Sequence, residues 1–62
     1  MKRIVLERYL RTHGCTFLRH GSGHDIWRSP DGTRQTSMPR HRVLARGTVR
    51  SLCRQLGLPF PF

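Results

Sequence analysis

A chain of 62 residues leaves room for one domain, 1–62, and for no second one. Its hydrophobic share of 35 %, spread along the whole length, is enough for a thin packed core and argues against wholesale disorder. Twelve Lys and Arg against three acids give a net charge of +9, and eleven of the twelve are Arg. The guanidinium stays ionised and its planar fork matches phosphate oxygens, so nucleic acid is favoured over an anionic membrane surface. The basic residues occur in every segment and form neither a terminal tail nor an amphipathic membrane helix.

In chain order, Val5, Leu6, Tyr9 and Leu10 recur at helical spacing, which predicts a helix from Arg3 to His13 that stops at Gly14. Three extended segments are predicted next: Cys15 to Arg19, His24 to Arg28, and Thr33 to Met38. Gly21-Ser22-Gly23 forms the first turn between them and Ser29-Pro30-Asp31-Gly32 the second. Pro39 ends the third strand, and a basic loop of Arg40, His41 and Arg42 leads to a second helix, Arg46 to Leu56. On that helix Val49, Leu52, Cys53 and Leu56 make one apolar stripe, closed by Gly57. Pro59-Phe60-Pro61-Phe62 follows as a short apolar tail. The predicted fold class is α+β, in the order α-β-β-β-α, with both helices laid on one face of a three-stranded antiparallel sheet.

Cys15 and Cys53 lack the close spacing of a metal knuckle or redox pair, so both are read as small buried hydrophobes. The N-terminus has no secretory apolar region and no apolar run reaches membrane-spanning length, which predicts a cytoplasmic protein with reduced thiols.

Among four histidines, His24 has the most suggestive setting, at the start of a strand directly after the Gly-Ser-Gly turn. The glycines let a phosphate backbone approach closely while the strand fixes the imidazole. RNA carries its own nucleophile, the 2′-hydroxyl, so cleavage needs a proton acceptor, a proton donor and nearby cations. Histidine, with an ordinary pKa of roughly 6.5, suits the first two roles. Asp25 follows His24 on the strand and therefore faces the opposite side, which reads it as a structural or surface acid. Glu7, on a helix, and Asp31, in a turn, are no better placed for catalysis. His20 and His24 lie four apart, but the intervening Gly-Ser-Gly argues against a helix there and no carboxylate is expected nearby to complete a site, so neither a metal nor any cofactor is expected.

Taken together, several stretches give the chain a strong family likeness. They are the basic first helix ending in His13-Gly14, Gly21-Ser22-Gly23-His24-Asp25-Ile26-Trp27 with Pro30-Asp31-Gly32, Met38-Pro39-Arg40-His41, Gly47-Thr48-Val49-Arg50-Ser51-Leu52, and Arg54-Gln55-Leu56-Gly57-Leu58. In order and spacing they resemble the HicA family of toxin–antitoxin messenger-RNA interferases over nearly the whole chain. The resemblance implies a fold like that of double-stranded RNA-binding domains and cleavage of mRNA by one essential histidine, matched here by His24. It also implies inhibition by a HicB-type antitoxin, a role in stress response, and room for a homo-oligomer within the toxin–antitoxin complex. The family pattern places Gly-Ser directly before the histidine. Here Gly23 intervenes, so either the turn is one residue longer or Ser22-Gly23 takes the place of Gly-Ser.

The expected RNA contacts are Lys2, Arg3, Ser22, Gly23, Arg28, Arg40, His41, Arg42, Arg46 and Arg50, with about half of the Lys and Arg residues among them expected to be bystanders. Two other functions compete. A non-catalytic module gripping double-stranded RNA by shape would have the same composition and fold. A helix-turn-helix DNA regulator would need two adjacent helices, which the strand-like centre denies.

Overall fold

The computed structural model describes all 62 residues. Helix α1 (Arg3–Thr12) is followed by β1 (Thr16–His20), β2 (His24–Arg28), β3 (Gln35–Pro39) and helix α2 (Arg46–Leu56), the α-β-β-β-α order expected. The strands form one antiparallel sheet in the order β1-β2-β3.

Strand β2 shows why both helices sit on one face. Its Asp25 and Trp27 are buried while His24 and Arg28 are exposed, the alternation of a sheet covered on one side. Thr36 and Met38 of β3 face the same way. Over Trp27, the largest fully buried side chain, lies the Arg11 guanidinium of α1, 5.0 Å from the ring centroid. Thr36 Oγ1 donates to Gln55 Oε1 of α2 at 2.6 Å. The core joins Leu6 and Leu10 of α1, Cys15, Trp27, Met38, Leu44 and the α2 stripe of Val49, Leu52, Cys53 and Leu56. Both cysteines are free and buried, and burial pushes their thiols up, so they act as apolar filling. No helix is long and apolar enough to cross a membrane.

Helix α2 ends as its sequence predicts. Gly57 takes the left-handed conformation at φ 73°, and the N–H groups of Gly57 and Leu58 donate to the carbonyls of Arg54 and Cys53. Helix α1 differs in one detail: Val5, counted in its apolar stripe, is exposed. Leu6 and Leu10, four apart, define the buried line, with Tyr9 packed against it, and Val5 falls on the flank.

Strand boundaries move for identifiable reasons. Strand β3 begins at Gln35, not Thr33, because Thr33 is captured by the preceding turn, its N–H and Oγ1 both donating to Asp31 Oδ1 at 3.0 and 2.8 Å. That N–H has no freedom to join the ladder. Pro39, expected to end the strand, is its last residue, paired with His24 on the edge strand. Strand β1 runs Thr16–His20 in place of Cys15–Arg19 and carries a bulge. Phe17 pairs with Trp27, yet Arg19 pairs with Ile26 and His20 with Asp25, leaving Leu18 as the extra residue. The bulge reverses the alternation, so Phe17 and His20 share the helix-covered face and Arg19 turns to the open one.

The N-terminus closes the fold on this side. Lys2 bridges Val43, Arg3 N–H donates to the Arg42 carbonyl at 2.9 Å, and Leu44 N–H donates to the Met1 carbonyl at 2.8 Å. Residues far apart in sequence are thereby laid side by side.

Candidate catalytic centre and nucleic-acid interface

The β1–β2 hairpin closes tightly on Ser22 and Gly23, with Gly21 N–H donating to the His24 carbonyl at 2.6 Å. Gly23 has φ 76°, and a Cβ there would meet no atom within 4 Å, so the turn backbone is open to an approaching ligand. His24 is exposed on the sheet face that carries no helix. Its Nδ1 lies 3.2 Å from the Ser22 carbonyl. A carbonyl only accepts, so Nδ1 is the donor in this contact and Nε2 is the ring nitrogen left free of it.

Asp25 faces the other side, as strand alternation requires, but it is no surface acid. It is buried, and its Oδ1 accepts from His20 Nδ1 at 2.8 Å and lies 3.6 Å from Arg40 Nε. Arg40 also donates through a second nitrogen to the Gly21 carbonyl. This group draws on β1, β2 and the loop after β3, and sequence reading missed it. It saw no carboxylate beside His20 because the bulge at Leu18 is needed to bring that side chain onto Asp25. Signals for the bulge are absent from the local composition. No three His, Cys, Asp or Glu side chains gather into one cluster.

Of the expected RNA contacts, Lys2, Arg3, Arg40 and Arg42 come together with Ile4 around a single depression. The pairing of Lys2 and Arg3 with residues 42–43 brings them there. Only two of the four have carboxylate partners: Arg3, 3.1 Å from Glu7, and Arg40, beside Asp25. His41 is exposed between Arg40 and Arg42, and Ser22 and Gly23 are exposed on the hairpin turn. Arg28 stands apart, exposed at the far end of β2, about 13 Å along the strand from His24. Arg46 and Arg50 are exposed but engaged: the Arg46 guanidinium lies 4.3 Å from the Phe62 ring centroid and Arg50 5.1 Å from that of Phe60. The expectation omitted Arg19, which the bulge turns onto the open face near His24.

No curated protein and no solved structure matches the chain. A family model, that of the HicA toxin of bacterial toxin–antitoxin systems, matches residues 6–58, which include both helical cores, the whole sheet and the hairpin between His20 and His24. The chain belongs to the HicA toxin family.

Proposed function

We propose that this toxin is an endoribonuclease that cleaves mRNA by histidine acid–base catalysis, without a metal ion, and that a cognate antitoxin of the HicB type holds it inactive. The observation that carries the reading is His24 itself: an imidazole fixed through Nδ1 to the Ser22 carbonyl, with Nε2 exposed beside an open glycine turn. In that tautomer Nε2 accepts the proton of a ribose 2′-hydroxyl as its oxygen attacks the adjacent phosphorus. Arg19 on the same face, and Lys2, Arg3, Arg40 and Arg42 around the depression, supply cations for the phosphodiester chain. The requirement for a 2′-hydroxyl makes RNA the substrate and excludes DNA. A +9 surface draws an acidic partner quickly, and an antitoxin seated over the hairpin competes with RNA for the same cations.

The test is cleavage of single-stranded RNA by purified protein in the presence of a chelator. Wild type cuts, and His24→Ala loses about 10²–10⁴-fold in rate while its circular dichroism is unchanged, since the exposed ring adds little to the core. His41→Ala, altering an exposed loop residue, loses less. If His24→Ala cuts as well as wild type, the chain is better read as a module that grips double-stranded RNA without cleaving it.

A further inference from the structure

We propose that His20 is a second catalytic residue, the general acid that protonates the leaving oxygen, held in place by Asp25 and Arg40. The inference rests on the ribonuclease reading and deepens it, because the acid–base chemistry above names an acceptor for the first proton but no donor for the second.

Three observations converge on His20. Its ring is 68 % exposed, whereas the Asp25 side chain bound to it is 10 % exposed, so a nearly buried carboxylate reaches out to orient an accessible imidazole. The 2.8 Å bond occupies Nδ1 and directs Nε2 outward, and the Phe17 ring meets the imidazole edge-on at 4.9 Å, fixing its plane. Arg40 links this pair to the anion-attracting depression, because it lines that depression with Lys2, Arg3 and Arg42 while lying 3.6 Å from Asp25. Of the two histidines that flank the turn, His20 is thus the one on the side of the cation cluster. His24 and Arg19 stand on the opposite face, and between them runs a turn with no side chain larger than serine.

The arrangement divides the labour. The Asp25 carboxylate on Nδ1 orients the His20 ring and leaves its Nε2 to donate, as in other His–Asp pairs, while the Ser22 carbonyl on Nδ1 of His24 leaves that ring's Nε2 to accept. With a phosphodiester lying across Ser22 and Gly23, the 2′-oxygen forms a bond to phosphorus and its proton passes to His24 Nε2. The bond from phosphorus to the 5′-oxygen breaks, and that oxygen takes the proton from His20 Nε2. The products are a 2′,3′-cyclic phosphate and a free 5′-hydroxyl, and exchange with water resets both rings.

A competing role for His20 is purely structural, a cap on the Asp25 charge. His20→Asn separates the two, because its amide still offers an N–H toward Asp25 but has no proton to transfer. Each variant is assayed on an oligoribonucleotide and on a ribonucleoside 3′-(p-nitrophenyl phosphate), whose leaving group departs as an anion and needs no proton. His20→Ala and His20→Asn are expected to lose about 10²-fold or more on the oligoribonucleotide, yet to stay within a few-fold of wild type on the nitrophenyl ester. His24→Ala is expected to fail on both. Wild-type rates for His20→Asn on RNA would overturn the proposal and leave His20 a structural cap. Equal losses on both substrates would overturn it too, since they would locate the defect in binding. In either case an inactive His24→Ala preserves the ribonuclease reading, whereas a wild type that cleaves neither substrate removes that reading and this proposal together.

Discussion

Asp25 and Asp31 lie near opposite ends of the same short strand and are held in opposite ways. Asp31 is exposed, and all its partners come from its own turn: Ser29 Oγ donates to it at 2.7 Å, and Thr33 donates through both N–H and Oγ1. Asp25 is buried, and its partners, His20 and Arg40, arrive from β1 and from the loop after β3. The first carboxylate spends its acceptors on shaping the chain. The second holds two side chains, one an exposed imidazole and the other a wall of the cationic depression. Where a small fold gathers distant residues around a buried charge, the charge orders side chains from separate elements at its surface. Where a turn satisfies its own aspartate, it orders only itself.

The largest difference between the two ends is expected in the response to salt. If the depression beside Asp25 grips phosphates, the affinity for single-stranded RNA falls with ionic strength, by a logarithmic slope of about −0.7 for each contact. Arg42→Ala is expected to weaken binding and to make the slope shallower by about 0.7. Arg34→Ala, at the Asp31 end, where the guanidinium packs beside Gly57, is expected to leave the slope unchanged. Equal slopes for wild type and Arg42→Ala would show that the depression takes no part.

A smaller effect tests the other end. Hydrogen bonds from the Thr33 N–H, from Ser29 and from the Thr33 hydroxyl hold the Asp31 carboxyl at about 2, against an ordinary 3.8. The folded state therefore favours the ionised form, and the resulting stability is fully present above pH 3.8 and is lost as pH falls toward about 2. Urea midpoints followed across this window should fall less steeply for Asp31→Asn than for wild type, with RNA cleavage at neutral pH unaltered. Identical acid profiles would remove Asp31 as the group responsible.

Much of the fold was legible because its signals are local. The α2 stripe, Gly57 beyond it, the Pro30-Asp31-Gly32 turn and the opposite facing of His24 and Asp25 all follow from spacing and alternation within a few residues. The candidate site was legible only in part, for the same reason. The bulge at Leu18 shifts the pairing by one residue, placing His20 against Asp25 and Arg19 on the open face, and nothing in Thr16–His20 announces it. The cluster of Lys2 and Arg3 with Arg40 and Arg42 depends on a backbone pairing of the N-terminus with residues 42–44, about forty positions away. Arg46 and Arg50 stand among the RNA contacts expected from sequence, yet both lie over the phenylalanines of the tail that follows α2.

On the proposed function, RNA is engaged at the hairpin end of the sheet, between His20 and His24. A titration of the isotope-labelled protein with an uncleavable oligonucleotide, 2′-deoxy at the scissile position, followed by imidazole and backbone amide resonances, tests this. Saturable shifts of the His20 and His24 rings and of the Ser22 and Gly23 amides are expected, with the Gly32 and Thr33 amides unmoved. Shifts at Gly32 and Thr33 with both histidine rings unaffected would place RNA at the other end of the strand.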